Sequence, residues 1–123
     1  MSKSKKIFNP DDIIYSYTAE DAERDEVLFN VKEILKDYGI FPVIRITSGI
    51  KEFLLLGDLK ETDETYRRRV VNISALAVKQ LKNSKNNWFA SFNVIVAEIQ
   101  KTVWACVDTT SGPAIHIMLP EEY

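Results

Sequence analysis

The sequence predicts an α+β domain, with helices packed on a mostly antiparallel sheet whose main strands are C-terminal. Three observations carry this expectation. Tyr66, Val70, Ile73, Ala77 and Leu81 repeat at helical spacing. "WFASFNVIVAEI", "TVWACVD" and "PAIHIML" follow as apolar, β-rich stretches separated by "QK" and "TTSGP". "FPVIRIT" adds a strand to the N-terminal half. Helical and strand segments that are largely segregated along a chain indicate α+β rather than alternating α/β architecture.

Taken in order, residues 1–10, "MSKSKKIFNP", read as a flexible basic tail carrying Lys3, Lys5 and Lys6, ahead of a single domain over 11–123. No secretory apolar core follows the lysines, and the apolar clusters are too short to span a bilayer, so no membrane association is expected. Ile13 to Tyr17 has strand composition. Thr18 then stands as an N-cap, with Glu20 and Asp21 in the first turn, where negative charge complements the helix dipole. Val27, Leu28, Phe29 and Val31 either pair as an edge strand or run on into the next helix. Val31, Ile34, Leu35 and Tyr38 fall at helical spacing, and Gly39 supplies the C-cap.

After Pro42, "VIRIT" alternates, with Val43, Arg45 and Thr47 on one face and Ile44 and Ile46 on the other. Thr47 or Ser48 caps a short helix burying Ile50, Phe53, Leu54 and Leu56 before Gly57. The long helix is expected over 63–81, and "KNSKNN" reads as a loop. The two-sided apolar character of Phe92 to Ile99 points to a central strand.

Composition narrows the function. The chain of 123 residues is 46% hydrophobic and 28% charged, with 16 Lys and Arg against 18 Asp and Glu. That is a globular balance without the basic excess of many nucleic-acid binders, so a nucleic-acid partner is not expected. One cysteine, Cys106, precludes an intramolecular disulfide and a cysteine-rich zinc site, and suits the reducing cytoplasm. Gly39, Gly49, Gly57 and Gly112 form no phosphate-binding fingerprint.

A Ser-His-Asp or Cys-His set would have to use His116, the single histidine. In strand geometry His116 shares a face with Ala114 and Met118, and the expectation is a structural or surface histidine. Cys106 has neither local positive charge nor a helix N-terminus beside it in the sequence, and reads as a small core residue. Seven acids between Asp11 and Glu26 face one Arg, but their spacing matches no calcium loop; a solvated face or a patch for a basic partner accounts for them, and no metal is expected. Arg67, Arg68 and Arg69 open the long helix, against its dipole. Three successive helical residues spread over about 200° and cannot converge on one ligand.

Two stretches, "DIIYSYTAEDAERDEVLFNV" with "FPVIRIT", and "GPAIHIMLPEEY", resemble an uncharacterised family of small proteins found in bacteria and on phages, plasmids and other mobile elements. In that family a Tyr-Thr strand end leads to a short helix, a Val-Leu step, a Phe-Pro-Val segment and a closing "ITIMLPEE"-like strand. Tyr15, Tyr17, Thr18, Val27, Leu28, Phe41, Pro42, Val43, Thr47, Gly112, Pro113, Ile117, Met118, Leu119, Pro120 and Glu121 match by position. The chain departs from the pattern at Asp25 and Glu26, where the family has a small-Gly turn, and at "SGIKEFLLL", where it has an aromatic-rich segment. The resemblance implies a compact α+β domain with an accessory role for a mobile element. Separately, the "Y-x-Y-T" step is similar to the opening strand of ADP-ribosyltransferase-like folds, in which an H/Y-x-T strand helps hold NAD; here Tyr15 stands at the His position.

The expected function is that of a small, non-enzymatic, cytoplasmic accessory protein that needs no cofactor and binds an unidentified protein partner through Glu20 and Asp21 or Arg67, Arg68 and Arg69. The alternative is a pocket for a nucleotide-like small molecule formed by Tyr17, Thr18, Arg45 and His116. Self-association through an exposed strand edge is a third reading.

Overall fold

The computed structural model describes residues 21, 23, 27–40, 42–109 and 113–122. Asp21 and Glu23 have helical backbone. The expected strand over 13–17, the Thr18 cap and the basic tail lie outside the described residues.

The elements are β1 (Leu28–Asn30), α1 (Lys32–Leu35) continued by a 3-10 turn (Lys36–Tyr38), β2 (Val43–Thr47), α2 (Ser48–Leu54), α3 (Glu64–Asn83), β3 (Phe89–Val96), β4 (Ile99–Asp108), β5 (Ala114–Met118) and a closing 3-10 turn (Pro120–Glu122). Among the described residues, five strands form one sheet in the order β1-β2-β5-β4-β3, with every neighbouring pair antiparallel except β2 with β5. This is the expected α+β architecture.

Local chemistry sets the elements. Gly39 ends the first helical segment at φ 71°, a left-handed conformation open to a residue without Cβ. The Thr47 hydroxyl caps α2 by accepting from the Ile50 N–H. In α3 the stripe Tyr66, Val70, Ile73, Ala77 and Leu81 is buried, and the helix continues two residues past the expected Leu81 to Asn83. Arg69 Nη1 donates to the carbonyls of Leu54 and Leu56, at 3.0 and 2.7 Å, tying the end of α2 to α3. The core lies between these helices and one sheet face, with Ile44, Ile46, Ala90, Phe92, Val103, Ala105 and Ile117 pointing into it.

Two expectations about the β region are corrected. Among the described residues the segment Phe92 to Ile99 is not a central strand: β3 is an edge, and the centre is β5, which inserts between β2 and β4. Its apolar residues divide between a buried set, Phe92 and Val96, and Ile95, which is 67% exposed. The β3–β4 turn is also not at "QK" but at Ala97 and Glu98, both with positive φ (50° and 67°), the geometry of a two-residue hairpin that matches the twist of its strands. Gln100 and Lys101 belong to β4.

Candidate functional site

The face of β2 and β5 opposite the helices carries buried charge. Alternation places Arg45 between Ile44 and Ile46 but pointing the other way, and the parallel register sets it beside His116. The antiparallel register of β5 with β4 then sets His116 beside Cys106, with Asp108 one step further along that face. Arg45 is 6% exposed. Its Nε donates to the Glu23 carboxylate, and its Nη1 lies 3.3 Å from His116 Nε2. The same imidazole nitrogen is 3.5 Å from Asp108 Oδ2.

His116 Nε2 therefore sits between a donor and an acceptor. With a lone pair it accepts from Arg45; with a proton it faces Asp108 and opposes the guanidinium. Burial pushes the His116 pKa below its ordinary value; Asp108 and Glu23 pull it upward, and Arg45 adds to the lowering. The lowered pKa favours the neutral ring, whose Nε2 accepts from Arg45 when the proton is on Nδ1. Burial raises the Cys106 thiol, so it is held as a thiol rather than as the nucleophilic thiolate.

A second polar knot closes the other end of β2. The Glu122 carboxylate accepts from the Thr47 hydroxyl at 2.5 Å, the Gly49 N–H at 2.8 Å and the Leu119 N–H at 2.9 Å. Gly49 is required by this approach, since a Cβ there would lie 2.5 Å from Glu122 Oε2. The knot fixes the C-terminal turn to the start of α2.

Glu23 also lines a cleft of about 380 Å³ beside β1, with Phe29, Glu33, Lys51, Glu61 and Tyr66 among its walls. Lys51 Nζ lies 3.9 Å above the Phe29 ring centre and 3.0 Å from Glu61 Oε1. The ring face and carboxylate thus hold an ammonium group, by quadrupole attraction and ion pairing. Burial, with a smaller push from Glu61, raises the Tyr66 phenol to about 12.

Of the residues expected in a small-molecule pocket, Arg45 and His116 meet, while Tyr17 and Thr18 lie outside the described residues. Among the partner-binding candidates, Asp21 is half-buried and Glu20 lies outside the described residues. The arginines diverge: Arg67 is 3.8 Å from Asp37 Oδ2, Arg68 is exposed, and Arg69 is spent on the carbonyls of Leu54 and Leu56. Cys106, expected in the core, is half-buried on the polar face. Sequence reasoning missed Asp108 and Glu122, whose partners are set by strand register and by the C-terminal turn. It placed Glu23 only within an acidic run.

Among the described residues, no three His, Cys, Asp or Glu side chains are grouped to hold a metal ion, and no helix is long and apolar enough to cross a membrane. No protein-family model, curated protein or solved structure matches the chain.

Proposed function

We propose that the chain is a binding module that captures a basic segment of a protein partner in the cleft beside β1. The observation that carries this reading is the Lys51 ammonium held between the Phe29 ring and Glu61. A partner's Lys or Arg can take the same place, exchanging one cation for another without leaving a carboxylate unpaired. Glu23 and Glu33 line the same cleft, each in an ion pair of its own, with Arg45 and Lys36 respectively. The family resemblance adds an accessory role for a mobile element, and the single cysteine suits the cytoplasm.

The test is quantitative co-purification of the tagged chain from its host, with Glu33→Lys/Glu61→Lys and Arg68→Glu variants in parallel. One stoichiometric partner, lost in the double variant and kept in Arg68→Glu, is the expected result. A partner kept by the double variant, or no partner with the unaltered chain, overturns the reading.

A second reading is favoured by the meeting of Arg45 and His116, which are 71 residues apart in sequence yet 3.3 Å apart in space. Together they offer hydrogen-bond donors to an anionic, nucleotide-like ligand if Glu23 yields its place. A thermal-shift screen with nucleotides, NAD and ADP-ribose tests it; stabilisation that disappears in Arg45→Met supports this reading, and no shift with any compound removes it.

A further inference from the structure

The cleft lies at the β1 side of the sheet; among the described residues the opposite edge is β3, which differs in kind. β1 has three residues, whereas β3 has eight. The Val107 N–H donates to the Trp88 carbonyl at 2.9 Å, which fixes the phase of the β3–β4 ladder. By the antiparallel alternation, Ala90, Phe92, Val94 and Val96 direct their backbone groups to β4, and Phe89, Ser91, Asn93 and Ile95 direct theirs outward. The side chains of Ser91, Asn93 and Ile95 are exposed.

Proteins blunt long sheet edges with charge, proline, bulges or covering elements. The β3 sequence "FASFNVIV" has no charged residue and no proline, and its register with β4 runs from Phe89 to Val96 without interruption.

We propose that β3 pairs with β3 of a second copy of this chain, antiparallel about a twofold axis at Phe92. Outward-directed residues must oppose outward-directed residues for hydrogen bonds to form. Centring on Phe92 sets Phe89 against Ile95 and Ser91 against Asn93, engaging all four and forming about eight backbone bonds; centring on Asn93 leaves Phe89 out.

The same register favours the side chains. Each Phe89–Ile95 opposition is an aromatic–β-branched pair, made twice by symmetry, and it covers the exposed Ile95. No like charges oppose within the strand. At either end Lys85, before β3, is brought toward Glu98, after β3, of the second copy, and the twofold makes this attraction reciprocal. A strand that is uncharged along its length and oppositely charged beyond its two ends is complementary to itself in the antiparallel sense. The sheet becomes continuous across both copies, with the two clefts at its far ends.

Sedimentation of the full chain up to about 200 μM, with Ile95→Lys and Ser91→Pro alongside, tests the pairing. Ile95→Lys removes the β-branched partner of Phe89 and puts a hydrated charge on the strand edge, twice by symmetry; Ser91→Pro removes an N–H that only the second copy uses. The unaltered chain is expected to dimerise with concentration, and each variant to raise the dissociation constant at least about tenfold with unchanged circular dichroism. Hydrogen exchange supplies a readout independent of the proline variant's folding. The Ser91, Asn93 and Ile95 amides should be slow in the dimer and fast in Ile95→Lys, while Ala90 and Phe92 stay protected in both. A monomer throughout the range, or a dimer that survives Ile95→Lys, overturns the proposal and leaves the cleft reading untouched.

Discussion

On the helix side of β2 and β5, Ile44, Ile46 and Ile117 are fully buried among α2 and α3 residues; on the other side of the same strands, Arg45 and Thr47 are nearly as inaccessible, among Glu23, His116, Asp108 and Glu122. One face is closed by apolar packing, which is non-directional and insensitive to pH. The other is closed by ion pairs and hydrogen bonds, whose strength depends on geometry and protonation. Stability should therefore concentrate on the first face, and adjustable chemistry on the second.

The largest expected effect comes from the apolar face. Ile117 is 0% exposed on the central strand, and Ile117→Ala should destabilise the fold by about 3 kcal/mol through lost transfer energy and a cavity that β2 and β4 keep open on both sides. Urea denaturation measures it. A loss under about 1 kcal/mol would show that this face relaxes readily, and would break the contrast.

The apolar face was also the more legible in sequence. A helical stripe needs only its own period to be recognised, so Tyr66, Val70, Ile73, Ala77 and Leu81 were expected on one side and are found buried there. Ile44 and Ile46 follow from alternation, and the Gly39 and Thr47 caps from residue type. The order of the strands was not legible. The insertion of β5 between β2 and β4 is a long-range pairing, and it moves β3 from the expected centre to an edge. The Ala97–Glu98 turn lacks the Gly or Asn that usually marks left-handed backbone.

On the polar face, alternation put Arg45 opposite the isoleucines, and His116 stood out as the sole imidazole. Their partners could not be read. Asp108 reaches His116 through the hairpin register, Glu23 reaches Arg45 from 22 residues away, and Glu122 returns to Thr47 from the C-terminal turn. None of these contacts has a local sequence signature.

The intermediate effect tests whether the polar face contributes to stability at all. Glu122→Gln keeps the shape of the side chain and removes the charge that strengthens three hydrogen bonds, from Thr47, Gly49 and Leu119. A loss of about 1–2 kcal/mol in the same denaturation assay is expected. An unchanged midpoint would mean that the knot only positions the C-terminal turn.

The smallest effect sharpens the comparison most, because only the polar face can produce it. Burial disfavours the imidazolium, so folded His116 titrates below its ordinary value near 6.5. Above that pH the ring is neutral whether folded or unfolded, and its contribution to stability is complete. As pH falls through about 6.5 the unfolded chain takes the proton first, so stability declines until the folded ring protonates as well, and this group adds no further change below that point. The Tm of the unaltered chain should therefore fall across this window, while His116→Gln, which keeps a polar side chain without titrating, should be flatter. Geometry makes the sign informative. Protonation of Nε2 exchanges an accepted bond from Arg45 for a donated one to Asp108. A Tm that rises on acidification would mean that Asp108 outweighs burial and Arg45, and that the polar face rests with His116 as a cation.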